Sequence, residues 1–140
     1  MRIVLAVDGS PVAARAARFV ARLASRLAEK PEVILLHVDE PLLQSVAIHL
    51  GVKGVEKYHA DNGKFALKTA KATLNRADVA YDEQLLVGDP ADTIVKYASS
   101  AKCDLVVMGS HGRGALTSLF LGSITIKVLT HCAVPVTIVR

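Results

Sequence analysis

The stretch that decides the fold is residues 3–11, Ile3-Val4-Leu5-Ala6-Val7-Asp8-Gly9-Ser10-Pro11. Five aliphatic residues in a row suit a strand covered on both faces. Ser10 is a strong N-cap type and Pro11 a favoured first helical residue, so a helix is predicted to start there. The same logic returns at Gly88-Asp89-Pro90, after a second strand-like run from Tyr81 to Val87. Between and beyond these points, aliphatic runs alternate with helical spacing. The predicted strands are Ile3 to Val7, Val33 to Val38, Tyr81 to Val87, Asp104 to Met108 and Val134 to Val139. The predicted helices run from Pro11 to Glu29, Val55 to Ala77, Pro90 to Ser100, and through the segment ending at His131.

Asp39 to Gly54 is less regular, with Pro41, Gly51 and Gly54 around an apolar piece, and reads as a short helix or a flap. Gly63 is expected to bend or delay the helix it falls in. The β-α alternation implies an α/β fold with a parallel sheet covered by helices, and right-handed crossovers make it a single doubly wound, Rossmann-like sheet. The 140 residues fit one domain, 1–140, with no repeat or linker.

Composition narrows the function. The chain is 51% hydrophobic, which excludes disorder, and a domain of this size can bury a core without staples. Three Phe, three Tyr and no Trp are too few for a stacking platform on single-stranded nucleic acid. Seventeen basic against thirteen acidic residues is a modest excess. Its one concentration, Arg15, Arg18, Arg22 and Arg26, reads as a solvated helix face. No nucleic-acid or membrane partner is expected. After Met1 and Arg2 the apolar run meets Asp8 too early for a secretory signal, and no run has the length of a membrane span, so a cytoplasmic location is expected. Cys103 and Cys132 do not form a secreted disulfide framework and are expected as buried, inert thiols. His37, His49, His59, His111 and His131 show no metal-ligand spacing.

In open α/β sheets ligands bind beyond the carboxyl ends of the strands, at the switch point. The segments to inspect are therefore Asp8-Gly9-Ser10, Asp39-Glu40, Gly88-Asp89 and the run from Met108 to Ile124, MGSHGRGALTSLFLGSI. That run holds Gly109, Gly112, Gly114 and Gly122, four of the nine glycines. Glycines allow a backbone to approach a ligand closely, and successive N–H groups can wrap an anion. The helix start near Ser123 favours phosphate, and Arg113 can add a charge-assisted contact. There is no G-x-x-x-x-G-K-[ST] and no G-x-G-x-x-G after the first strand, so neither a Walker loop nor a dinucleotide fingerprint is present.

The spacing Gly109, two residues, Gly112, nine residues, Gly122-Ser123 resembles the nucleotide-binding motif of the universal stress protein family. The opening Val7-Asp8-Gly9-Ser10, the strand end Leu36-His37-Val38 and the closing Val134-Pro135-Val136 are similar to that family as well. The resemblance is full-length. It implies a sheet in the order 3-2-1-4-5, ATP as ligand with Mg²⁺ carried on its phosphates, and a signalling or stress-response role. It implies that Asp8 contacts the nucleoside, that the Val38 backbone contacts adenine, and that Gly109, Gly112, Gly122 and Ser123 hold the phosphates. Val7, Ser10, Met108, His111, Arg113, Ile124 and Thr125 complete the candidate site. Their plainer readings stand beside these: Asp8 and Ser123 as helix caps, Val38 as core, His111 as an exposed loop residue. The resemblance further implies a homodimer through the fifth strand, Val134 to Val139, with other protein partners unidentified.

Rival readings are weaker. Phosphoryl transfer needs metal-holding and water-positioning groups, and Asp8 is the one carboxylate clearly placed, with Asp39 and Asp89 expected to be distant. Turnover of ATP is expected to be slow or absent. A phosphoacceptor receiver domain needs an acidic pair after the first strand, where Asp8 stands alone. A flavin site lacks an aromatic on the candidate loops, and a pure interaction protein would have no need of the intact glycines.

Overall fold

The computed structural model describes residues 1–112 and 121–140. Its elements are β1 (Arg2–Ala6), α1 (Pro11–Ala24), β2 (Glu32–Asp39), α2 (Gln44–Arg76), β3 (Tyr81–Val87), α3 (Pro90–Ser100), β4 (Leu105–Gly109), α4 (Ser123–His131) and β5 (Val136–Val139). The strands form one five-stranded sheet in the order β3-β2-β1-β4-β5. Every pairing is parallel, with Val4 opposite Ile34 on one side and Val106 on the other. The expected α/β, doubly wound architecture in the order 3-2-1-4-5 is present.

Side chains alternate between two cores, as the period of a strand requires. Ile3, Leu5 and Val7 face α1 and α2, meeting Ala13, Ala16, Ala17 and Val20 and then Leu67, Ala70 and Leu74. Val4 and Ala6 face α3 and α4, with Ile94, Ala98, Val106 and Val128. The alanines on α1 let that helix lie close against the sheet. Each fully buried Leu or Val contributes roughly 1.5–3 kcal/mol. Since α1 leaves β1 on one face and α4 follows β4 on the other, the carboxyl ends of these adjacent strands bound a crevice.

Several boundaries differ from the sequence reading. α1 stops at Ala24, not near Glu29. The Arg26 N–H donates to the Leu23 carbonyl, three residues back, and the Ser25 hydroxyl donates to the Arg22 carbonyl, so the last turn tightens and closes. The chain must reverse here, because Glu32 pairs beside Met1 and Arg2 at the start of β2. β5 begins at Val136, because Pro135 has no N–H; its carbonyl instead accepts from Val106. The edge strand β3 is not covered on both faces, and Leu85 and Val87 are about half exposed.

The segment after β2 is helical from Gln44 and joins the long helix across a break at Gly51, whose φ of 67° lies in the left-handed region. Gly63 does not interrupt α2. A Cβ there would lie 2.7 Å from both Leu85 Cδ atoms, so its lack of a side chain is a matter of packing on β3. Arg15, Arg18, Arg22 and Arg26 are all exposed. Cys103 is buried and Cys132 half-buried, both free, and burial pushes the Cys103 thiol up. No helix among the described residues is long and apolar enough to cross a membrane.

Candidate functional site

The turn after β1 is built by its own side chains. The Asp8 carboxylate accepts from the Ser10 N–H at 2.9 Å, and the Ser10 hydroxyl caps α1 by accepting from the Ala13 N–H at 3.1 Å. Gly9 sits at φ 81°, and a Cβ on it would meet the Phe65 ring at 2.9 Å and the Ala66 Cα at 3.2 Å. The turn is thus wedged against α2, which fixes where the Asp8 side chain can point.

At the end of β4 the chain comes just as close. A Cβ at Gly109 would lie 3.1 Å from Val12 and 3.2 Å from the Ala13 nitrogen, so any side chain there would push the end of β4 and the first turn of α1 apart by a few tenths of an ångström. The chain leaves through Ser110, His111 and Gly112, and Gly122 returns it: the Gly122 N–H donates to the Ser110 carbonyl at 2.8 Å. Gly122 is so near the outgoing strand that a Cβ would stand 3.1 Å from His111 Cα and 3.6 Å from the Gly112 nitrogen. A Cβ at Gly112 would stand 3.1 Å from Asp8 Oδ2. Residues far apart in sequence, Asp8, Gly112 and Gly122, are therefore brought together at the switch point.

Gly122 is the N-cap residue of α4, and among the described residues no side chain caps that helix. By contrast Ser10 caps α1 and Asp89 caps α3. The first turn of α4 so presents backbone N–H groups, with the positive end of the helix dipole behind them. The buried Thr125 hydroxyl donates to the Gly109 carbonyl at 3.1 Å and ties α4 to β4. His111 is half-buried, not an exposed loop residue, and its Nδ1 lies 3.0 Å from the Ser110 hydroxyl.

These groups open on a cleft of roughly 890 Å³. Val7, Asp8, Ser10, Val38, Met108, Gly109, His111, Gly112, Gly122, Ser123, Ile124 and Thr125 all line it. Arg113 and Gly114 lie outside the described residues. Sequence reasoning marked Asp39-Glu40 for inspection but missed the rest of the opposite wall: Pro41, Leu42 and Leu43 after β2, Tyr58 and Asn62 from α2, and Pro90 and Ile94 from α3. Asp39, expected to be distant, is part of the lining, whereas Asp89 is not. Asp8, Asp39 and Glu40 are the carboxylates of the described lining, which contains no Lys or Arg.

Two histidines shape that wall. His37 is buried, and its Nδ1 donates to the Val7 carbonyl at 2.8 Å. His37 Nε2 has no hydrogen-bond partner among the described residues. His59 Nδ1 donates to Asp39 Oδ2 at 2.6 Å, and Asn62 Nδ2 donates to the same oxygen at 2.9 Å. Burial works against ionisation of Asp39, but the hydrogen bonds from Asn62 and His59 outweigh it and hold the carboxyl below its ordinary value. Among the described residues no group of His, Cys, Asp and Glu is placed to hold a metal ion.

Residues 1–140 match the family model described as the universal stress protein family. A protein of Thermus aquaticus described as a universal stress protein in the QAH/OAS sulfhydrylase 3′ region is 37% identical over 139 residues, covering 99% of this chain and 97% of that one. The universal stress protein MJ0577 of Methanocaldococcus jannaschii is 31% identical, with 99% and 94% covered. The solved structure of MJ0577 superposes with a TM-score of 0.82 at 28% identity, again covering 99% and 94%. A universal stress protein from Archaeoglobus fulgidus, solved in complex with dAMP, shares the fold at a TM-score of 0.71 and 24% identity, covering 100% and 98%.

Proposed function

Because the chain belongs to the universal stress protein family, we propose that it is an ATP-binding member, a single domain that works as a nucleotide-dependent regulatory module. The observation that carries this reading is the meeting of Gly112, Gly122 and Asp8 at one point of the cleft. A Cβ on Gly122 would press on the His111–Gly112 backbone and one on Gly112 on the Asp8 carboxylate, so both glycines keep the groups assigned to the ligand in close register. The dAMP complex of the Archaeoglobus fulgidus protein belongs to that protein, and supports the reading to the extent that this fold can seat an adenine nucleotide.

In the proposed complex the phosphates lie on the N–H groups of Gly112, Ser123, Ile124 and Thr125. Each helix-dipole contact of this kind contributes roughly 0.3–1 kcal/mol, so several act together. The Ser123 hydroxyl and Arg113 add donors, and Mg²⁺ enters with the phosphates and water. Asp8 reads the nucleoside, and adenine lies against the Val38 backbone, between Val7, Met108 and the wall formed by Leu42 and Leu43. Ser10 and Thr125 hold the frame, since their hydroxyl oxygens are committed to the α1 cap and to Gly109. Asp8 and Asp39 are each engaged by neighbouring donors, which favours binding over rapid hydrolysis.

The proposal extends to a cytoplasmic homodimer through Val134 to Val139, supported by the position of β5 at a sheet edge. Light scattering that reads a monomer at micromolar concentration would refute the dimer. Mass spectrometry of nucleotide retained through purification, followed by equilibrium dialysis with ATP, tests the ligand. Retained adenine nucleotide with saturable binding supports the reading, and a chain that neither retains nor rebinds ATP refutes it.

A further inference from the structure

The last residue of β2 and the middle of α2 meet at Asp39. Its Oδ2 accepts from both His59 and Asn62, and the Asp39 and His59 side chains are only 15% and 16% exposed. Hydrogen bonds to an ionised, shielded carboxylate are among the stronger ones in a protein. The Asp39 carbonyl also accepts from the Gly88 N–H at 2.9 Å, which ties the same residue to the end of β3.

Between Asp39 and His59 the chain makes an excursion whose two ends face the cleft. Pro41, Leu42 and Leu43 line it on the way out, and Tyr58 lines it on the way back. The middle of the excursion buries little. Leu43, Ile48 and Val52 are each about three-quarters exposed. The helix breaks at Gly51, around whose Cβ position nothing lies within 4 Å. The ends of this segment are thus closed at its base by the bonds to Asp39. The Tyr58 ring stands edge-on to His59, with centroids 5.3 Å apart, so His59 links the Asp39 bond to a cleft wall directly.

We infer that Asp39, His59 and Asn62 are positioning residues for the nucleoside end of the cleft. They close the base of the 40–58 excursion, hold the Val38 backbone beside them, and set the separation of the Leu42, Leu43 and Tyr58 walls that receive the base and ribose. This inference rests on the nucleotide reading of the cleft. It assigns the cluster no contact with the phosphates, which bind at the other end, on the glycines. Affinity for a nucleotide and affinity for its phosphate chain alone must therefore respond differently when the cluster is broken.

The test titrates ATP and, separately, inorganic tripolyphosphate into the full chain and its variants by calorimetry, with a thermal melt of each. Asp39→Ala is expected to weaken ATP about tenfold, the scale of one lost charge-assisted bond, while tripolyphosphate changes by less than about twofold. His59→Leu should behave like Asp39→Ala. His59→Asn, whose amide nitrogen falls near the place of Nδ1, should restore most of the ATP affinity. If Asp39→Ala does not fold, Asn62→Ala carries the same split with a loss of about threefold. ATP affinity unchanged in these variants overturns the inference and leaves the nucleotide reading intact. Equal losses for ATP and tripolyphosphate also overturn it, since they mean a general loosening of the fold. A wild-type chain that binds no ATP overturns both.

Discussion

Replacing Gly122 by alanine separates a nucleotide cradle from an ordinary turn. Gly122 has φ −66° and ψ 155°, a conformation open to any residue, so the substitution adds no backbone strain. What it adds is a methyl group 3.1 Å from His111 Cα, 3.5 Å from His111 Cβ and 3.6 Å from the Gly112 nitrogen. The nearest of these atoms is backbone, which cannot rotate aside, so the 111–112 segment must retreat by a few tenths of an ångström. Overpacking of this kind costs about 1–3 kcal/mol, and the half-buried position puts it at the low end, about 1 kcal/mol. The retreat moves the Gly112 N–H relative to the first turn of α4, the two donor groups assigned to the phosphates. Misplacing one or two charge-assisted bonds costs about 1.5–3 kcal/mol, which is about a 10–100-fold loss of ATP affinity. Calorimetry with ATP, paired with a thermal melt, reads both quantities. An alanine variant that melts near the wild type and binds ATP within about twofold of it would refute the reasoning.

Three further outcomes follow from the same geometry. Gly63→Ala places a Cβ 2.7 Å from both Leu85 Cδ atoms and 3.3 Å from its Cγ, so Leu85 must swing aside; overpacking of about 1–3 kcal/mol, partly offset by about 1 kcal/mol of helix propensity, should leave the variant destabilised by about 1 kcal/mol in a thermal melt. Ser10→Ala removes the cap from the Ala13 N–H at a buried site and should destabilise by about 1 kcal/mol, read by urea unfolding. The Asp39 carboxyl is held below its ordinary value in the folded chain, so it contributes stability above its unfolded pKa that is lost as pH falls through the folded one. The stability difference between wild type and Asp39→Asn, measured by denaturant melts, should therefore shrink as the pH falls below about 4. A difference that grew as the pH fell below about 4 would contradict the assignment.

Much of this architecture was legible in the residues. Aliphatic runs and the Ser10-Pro11 and Asp89-Pro90 caps mark strand ends and helix starts without any tertiary information. The cleft's glycine wall could be read too, because close backbone approach leaves glycine as its signature, and the resemblance assigned those glycines a ligand. The other wall left no such mark. Asp39 becomes part of the lining because α2 folds back to place His59 and Asn62 against it, 20 and 23 residues on, a spacing that no local periodicity records. Gly63 was misread for a related reason: its neighbour is Leu85 on β3, so a glycine that looks like a helix bend is a packing contact. The early end of α1 is likewise set from outside the helix, by the pairing of Glu32 with Arg2.

The most direct test of the central claim is an amide chemical-shift map of the wild-type chain titrated with ATP. The account predicts saturable shifts at Asp8, Val38, Gly109, Gly112, Gly122 and Ser123, with the far end of the sheet near Lys30 and Asn75 unmoved. Absence of saturable shifts, or shifts that cluster away from the ends of β1 and β4, would contradict it.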